Sequence, residues 1–461
     1  NYWVAVGVMA GFCQGGGVGK CIAEWIIDGE PSIDVWAMDV ARFGDYASPQ
    51  YGTIKSSENY ERRFIMTFPN ETLPKGRKQK TTALYDRFVN QGAVMGDSFG
   101  LENVLWFANN KEDAHEEPTI KRSRSHDYVS KEVINVRENV GLIEVANFSK
   151  HEFKGPDARK FLDHIMAGRL PKPGRISLSP MLSYRGKLCG DLTVACLDEN
   201  EFMVFGSGAA QEMHRRWFES HLGKFNLSYS NRSDEYHGLS IAGPNSRKVL
   251  EKIVRDDVSN EKFKFRDSRR MFVGGVPAII NRISFTGELG YEIYVAPHYQ
   301  LKLYEELMEA GKEFNIKPFG GRALMSMRLE KNWGAWTLDY RPDFTAKETG
   351  LDAFINWDKE FIGKESAQKE NSSNKLVPLI VETNEIDVTN NEAVLNGDQS
   401  IGYVTSGGFA HFVNKSVAFT FVDQKKIKSE NKIQVEINGD LFNCSIIKEP
   451  LYDPSGQKMR S

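Results

Sequence analysis

Two short stretches of this chain echo one another. Gly155-Pro156-Asp157-Ala158-Arg159 returns as Gly243-Pro244-Asn245-Ser246-Arg247. The first opens a helix with proline near its first turn, where the missing N–H is no loss. That helix carries an apolar face of Phe161, Leu162, Ile165 and Met166. Strand-like runs at 141–148, 175–182, 188–196 and 202–208 surround it, and a helix at 209–222 follows. The second echo sits between a strand at 239–243 and a helix at 246–254. Strands at 270–285 and 290–296 and a helix at 299–314 come next. A unit of strand, turn, helix and further strands that recurs in order signals internal duplication. It constrains 119–367 to one α+β domain built from two halves.

One half ends in Arg282-Ile283-Ser284-Phe285-Thr286-Gly287-Glu288-Leu289-Gly290-Tyr291-Glu292-Ile293-Tyr294-Val295. This reads as a strand, a glycine-bounded turn and a second strand. In the second strand Tyr291, Ile293 and Val295 share one face, with Glu292 and Tyr294 on the other. A carboxylate between aromatics just past such a turn suits the lining of a pocket; the plain alternative is a hairpin with Glu292 facing water. In the other half Asp191 stands between Gly190 and Leu192-Thr193-Val194, in a run otherwise suited to burial. A buried carboxylate without a partner costs several kcal/mol, so it implies a function or a fixed hydrogen-bond partner. Arg322 falls in the first turn of a helix, where a cation opposes the dipole. An anionic partner relieves that, and the guanidinium fork matches a carboxylate.

The rest of the chain flanks this domain. Residues 2–9 are a continuous apolar run, read as a buried strand. Gly15, Gly16, Gly17 and Gly19 follow, then a helix from Cys21 to Asp28. Strand, glycine loop and helix are the layout of a phosphate or cofactor cradle. Neither the P-loop nor the G-x-G-x-x-G spacing is met, because Gln14, Cys21 and Lys20 stand at the deciding positions. A chain that opens in mid-strand without methionine is expected to be a fragment. The run 368–375 is a polar linker. Short alternating strands from 376 to 461, with Asn396-Gly397-Asp398 and Asn438-Gly439-Asp440 as hairpin turns, predict a β-barrel or sandwich.

Composition excludes some classes. A net charge of −3 gives no electrostatic case for nucleic acid or an anionic membrane. No stretch approaches the roughly 20 apolar residues of a membrane helix. Five cysteines without a C-x-x-C pair point to free thiols in a reducing compartment. Nine scattered histidines give no readable metal site.

Several motifs, in order, carry a resemblance. Gly15-Gly16-Gly17-Val18-Gly19-Lys20 with Ala23-Glu24-Trp25-Ile26-Ile27-Asp28-Gly29 resembles the end of the FAD domain of dimethylglycine and sarcosine dehydrogenases. Lys80-Thr81-Thr82-Ala83-Leu84-Tyr85-Asp86 and Trp106-Phe107-Ala108 resemble their linking domain. Val140-Gly141-Leu142-Ile143-Glu144-Val145, Asp191-Leu192-Thr193-Val194, Thr286-Gly287-Glu288-Leu289-Gly290-Tyr291-Glu292 and Met327-Arg328-Leu329-Glu330 are similar to the folate-binding domain of the glycine cleavage T-protein, an aminomethyltransferase. Gly402-Tyr403-Val404-Thr405-Ser406-Gly407-Gly408 is similar to its C-terminal barrel.

The resemblance implies a multidomain α+β chain. Residues 1–44 are the expected tail of an FAD-binding α/β domain and 45–118 the linking domain. Residues 119–367 are then the aminomethyltransferase-like folate domain and 376–461 the barrel. It implies oxidation of an N-methyl amine by FAD, bound mainly upstream, and capture of the one-carbon unit by tetrahydrofolate as 5,10-methylenetetrahydrofolate. Glu292, Phe285 and Tyr291 then bind the pterin, Arg322 holds the glutamyl tail, and Asp191 is the acid–base group. Gly15, Gly16, Gly17 and Gly19 lie beside the flavin. Electrons go to a flavoprotein carrier or to oxygen. The compartment is the cytoplasm, or the mitochondrial matrix in a eukaryote. Two alternatives stand beside this: a flavin-independent folate-dependent aminomethyltransferase or demethylase, and a non-catalytic folate-fold protein. Three positions depart from the T-protein pattern: Gly190 replaces an aspartate, Phe285 a tyrosine and Ala323 an aspartate.

Overall fold

The computed structural model describes residues 2–8 and 11–461. A hairpin, β1 (Ala93–Ser98) and β2 (Leu101–Phe107), precedes two central sheets. Their strands are β3 (Val140–Glu144), β4 (Phe148–Lys154), β5 (Arg175–Leu182), β6 (Leu188–Asp198), β7 (Glu201–Ser207), β8 (Ser228–Asn231), β9 (His237–Ala242), β10 (Ser268–Val273), β11 (Val276–Asn281), β12 (Gly290–Val295) and β13 (Ile316–Pro318). One sheet runs β5-β6-β7-β4-β8 and the other β10-β11-β12-β9-β3-β13. The repeat read from sequence is visible in that order: each half has a three-strand meander whose last strand pairs with the first strand of the half. The halves also trade edges. β8 joins the first sheet, and β3, which precedes the first half, joins the second.

The echoing turns share one conformation. Gly155 and Gly243 both have φ of 134°, a region open to glycine. In each, a backbone N–H returns to the glycine carbonyl at 3.0 Å, from Ala158 and from Ser246. Each is followed by an eight-residue helix, Ala158–Ile165 and Ser246–Ile253. A Cβ at Gly155 would lie 2.8 Å from the Leu227 backbone, and one at Gly243 2.5 Å from the Asn139 carbonyl. Both glycines therefore let another segment cross closely.

Apolar alternation builds three layers. Tyr291, Ile293 and Val295 of β12 pack outward with Val249, Leu250, Leu303 and Leu307 of the covering helices. Leu192, Val194, Phe202 and Val204 of the first sheet pack outward on Phe161, Leu162 and Phe218. Between the sheets lie Ala195, Met203 and Phe205 from one and Ile143, Ile279 and Tyr294 from the other. Phe205 stacks on Tyr294 with ring centroids 4.7 Å apart.

The C-terminal strands close a barrel. In order around it are β14 (Asn374–Val381), β17 (Lys415–Asp423), β16 (Gln399–Ala410), β15 (Ala393–Asn396), β18 (Ile433–Ile437) and β19 (Asp440–Ile446). Closure leaves no open edge. Among the described residues no helix is long and apolar enough to cross a membrane.

Three sequence expectations are corrected. Residues 2–8 form no strand, and Met9 lies outside the described residues. Gly15, Gly16, Gly17 and Gly19 are not a loop but lie within one helix, Gly11–Asp28, with no buried residue. A strand needs a hydrogen-bonded neighbour, and none of the sheets reaches this segment; a helix satisfies its backbone internally. The run 270–285 is likewise not one strand. It breaks at Gly274 and Gly275, both at positive φ, into β10 and β11, and the strand ends at Asn281.

A buried ion cluster ties the second sheet to the barrel. Arg137, on the Ser125–Glu138 helix, is buried and donates to Glu288 at 3.0 Å and Glu330 at 2.6 Å. Its guanidinium lies 3.8 Å from the Tyr452 ring centroid, and the Tyr452 hydroxyl donates to Glu288. Removing this guanidinium takes the direct ion-pair partner from two buried carboxylates, with Lys331 still acting on Glu288. Arg137→Met is expected to lose about 3–5 kcal/mol of stability in chemical denaturation. A loss below about 1 kcal/mol would contradict this role.

Candidate functional site

Asp191 and Glu292 lie on facing sheets. Asp191 is on β6, opposite Pro180. Thr193, two residues on and on the same face, pairs with Phe205. Phe205 in turn stacks on Tyr294, which shares its face of β12 with Glu292. Both carboxylates are thus turned to the layer between the sheets.

Their environments differ. Glu292 is buried and accepts the Tyr294 hydroxyl at 2.8 Å. Burial raises its carboxyl to about 7, against smaller lowering effects of that hydrogen bond and of Lys150. Lys150 is fully buried and donates to three carbonyls, of Ala146 and Phe148 at 2.8 Å and of Ser233 at 3.2 Å. Its ammonium has no proton left for another acceptor. It stands behind Tyr294, 5.9 Å from that ring centroid, and burial lowers its ammonium to about 7. Burial pushes Asp191 up to about 7 as well, and only its own backbone N–H works against that. Two raised carboxyls with vacant acceptor positions can receive N–H donors and exchange protons near neutral pH.

The shape of β6 explains Gly190. The pairing slips between Met181 and Leu182, just ahead of Asp191, and such a bulge re-aims side chains. His214, from the Gln211–Leu222 helix, reaches the Cys189 carbonyl at 3.0 Å. A Cβ at Gly190 would lie 3.0 Å from His214 Nε2. The imidazole therefore crowds the place where a side chain at 190 would start.

The other expected residues are placed as follows. Phe285 is half-buried in the turn before β12 and stacks on Trp333 at 5.7 Å and 23°. Tyr291 is corrected: it is fully buried on the opposite face of β12, stacked on Phe263 at 5.8 Å. Strand alternation separates it from Glu292. Arg322 already has its anion, since Glu116 pairs with it at 2.9 Å and Ser125 accepts from it at 2.8 Å. Gly15, Gly16, Gly17 and Gly19 lie in the Gly11–Asp28 helix with open space where a Cβ would stand. Among the described residues no group of three metal-ligating side chains occurs. Tyr294 and Lys150 were not singled out from sequence. Tyr294 carries a readable signal, two residues from Glu292 on one strand face; Lys150 has only its place in an otherwise buried strand.

Residues 84–359 match the GCVT N-terminal domain family, more than half of the 461 residues. This chain belongs to that family. In this GCVT-family chain, residues 374–453 also match the Glycine cleavage T-protein C-terminal barrel domain and 28–82 the FAD dependent oxidoreductase central domain. Mitochondrial dimethylglycine dehydrogenase of Mus musculus is 35% identical over 460 residues, 98% of this chain and 53% of that protein. The chain thus spans about half the length of the dehydrogenases it matches. An aminomethyltransferase of Thermoanaerobacter pseudethanolicus is 29% identical over 330 residues, 70% of this chain and 89% of that protein. The crystal structure of the glycine cleavage system aminomethyltransferase T from Bartonella henselae superposes with a TM-score of 0.70 at 22% identity. It covers 81% of this chain and 98% of that one, a shared fold.

The Glu292 shift has a consequence for stability in this GCVT-family chain. Its carboxyl rises from 4.5 to about 7 on folding. Between those values the folded chain keeps a proton that the unfolded chain releases, so stability falls as pH rises through that window. Glu292→Gln removes the dependence. Urea unfolding near pH 8 is expected to find the variant more stable by up to about 3 kcal/mol, with the gap closing near pH 4. A gap that does not change with pH would contradict the burial of an ionisable Glu292.

Proposed function

We propose that this chain is the folate-binding part of a flavin-dependent N-methyl amine dehydrogenase. It passes the oxidised methyl group to tetrahydrofolate, forming 5,10-methylenetetrahydrofolate. The observation that carries the reading is the pair of raised carboxyls, Asp191 and Glu292, on facing sheets. Kinship with dimethylglycine dehydrogenase along 98% of the chain and with aminomethyltransferases along 70% supports it.

The residues fit the group. Glu292, held by Tyr294, accepts the N–H donors of a pterin edge. Phe285 and Trp333 offer an aromatic face to its ring. Asp191, near the ordinary pH of the cell in its proton affinity, exchanges the proton at the reacting folate nitrogen and favours a cationic one-carbon donor. Tetrahydrofolate supplies the nucleophilic nitrogens. We leave Tyr291 out of the set because it lies in the core, and Arg322 because Glu116 already neutralises it. FAD belongs to the same enzyme by kinship, and its binding is assigned here to no residue of this chain. The substrate is a small N-methyl amine. The mitochondrial matrix is the proposed compartment if the source is eukaryotic.

Two variants test this. Glu292→Ala in the full-length protein is expected to weaken tetrahydrofolate binding by at least about tenfold in calorimetry. Unchanged affinity would sink the assignment. Asp191→Asn is expected to bind folate with little change and to slow one-carbon transfer by roughly 10²–10⁴-fold in single turnover. A normal transfer rate would remove Asp191 from the mechanism.

A further inference from the structure

The loop after the Gly321–Glu330 helix is held in a conformation its sequence does not favour. Thr337 has φ of 70°, a left-handed region that a β-branched residue adopts only when its surroundings impose it. Asp339 imposes it. This carboxylate is fully buried and accepts from Arg328 at 2.6 Å, from the Ala335 N–H at 3.1 Å, and from the hydroxyls of Thr405 and Ser406 on the barrel. Further along, the Leu188 N–H donates to the Phe344 carbonyl at 2.8 Å, and Lys187 bridges to Thr345. The barrel thus fastens the loop on one side, and the start of β6 fastens it on the other, three residues before Asp191.

What this loop delivers is Tyr340. Its ring packs against the apolar cluster that contains Leu182, Leu188, Trp336 and Phe344. Its hydroxyl accepts the Gly334 N–H at 3.2 Å. A Cβ at Gly334 would lie 2.4 Å from the phenol ring, so that glycine leaves the room the ring fills. Among the described residues the phenol proton goes to no protein acceptor, and Asp191 receives no donor beyond its own N–H. After burial, the charge of Asp191 acts on Tyr340 more strongly than that of Asp339, and both keep the phenol protonated. A donor without an acceptor, on a loop fastened to the start of β6, and an acceptor without a donor, three residues along that strand, therefore lie near one another.

We propose that Tyr340 is a positioning residue for Asp191: its hydroxyl donates to a water that bridges to the Asp191 carboxylate, and so fixes where that carboxylate stands. The use of that position in one-carbon transfer rests on the folate reading above. The hydrogen bond itself does not. The charged and titratable groups around the pair are Asp339 and Arg328 behind Tyr340 and His214 behind Gly190. Burial lowers the His214 imidazole to about 4, so it is neutral where Asp191 titrates.

The test is the titration of the Asp191 carboxyl by ¹³C NMR in the folate-free full-length protein, its resonance assigned by its loss in Asp191→Asn. Tyr340→Phe keeps the ring and removes the donor. Its expected effect is a rise in the Asp191 midpoint of about 0.5–1 pH unit, three- to tenfold in proton affinity. Gly334→Ala keeps the hydroxyl but displaces the ring, and is expected to move the midpoint the same way. A midpoint that stays in place, or falls, in a folded Tyr340→Phe protein overturns the proposal. Tetrahydrofolate calorimetry on the wild type is read separately: absent binding overturns the folate reading and leaves the carboxyl result standing.

Discussion

The contact on which this architecture turns is the meeting of two duplicated sheets, marked by Phe205 stacked on Tyr294 at 4.7 Å. Each sheet spends its outer face on its own helices. The inner faces must then cover each other, and whatever polar groups they carry are drawn out of water. Most of that layer is apolar, including Ala195, Met203, Ile143 and Ile279. Asp191, Glu292 and Lys150 are among the exceptions, and a fold does not place such groups there without cost. Lys150 is satisfied by three carbonyls. The carboxylates are not satisfied in full.

The barrel is part of the same construction. It reaches the central sheets through two buried charge clusters. Arg137 with Glu288, Glu330 and Tyr452 holds the turn that leads into β12. Arg328 with Asp339, Thr405 and Ser406 holds the loop that passes Asp191. One cluster stands behind each candidate carboxylate. Such clusters add little net stability but define one arrangement, because a misplaced chain would leave charges buried and unpaired.

The parts legible in the sequence were those with local causes. The two Gly-Pro turns announced the duplication because one backbone conformation needs one residue pattern. Strand alternation placed Glu292 and Tyr294 together, and a carboxylate amid apolar residues singled out Asp191. Tyr291 was misassigned although the same alternation set it apart from Glu292; family likeness outweighed the period of the strand. The glycine-rich segment failed because its layout was read as a strand and loop that require a sheet neighbour. Arg322 was rightly expected to want an anion, but Glu116 lies 206 positions away (322 − 116), and no local pattern reveals such a pair. Tyr340 was out of reach for the same reason, since its loop is shaped by residues of the barrel.

A crystal structure of the full-length protein with 5-formyltetrahydrofolate tests the central claim most directly. The account predicts the pterin between the two sheets, its N–H edge on Glu292 and its reacting nitrogens toward Asp191. A folate bound elsewhere, or a pterin whose N–H edge meets neither carboxylate, would contradict it.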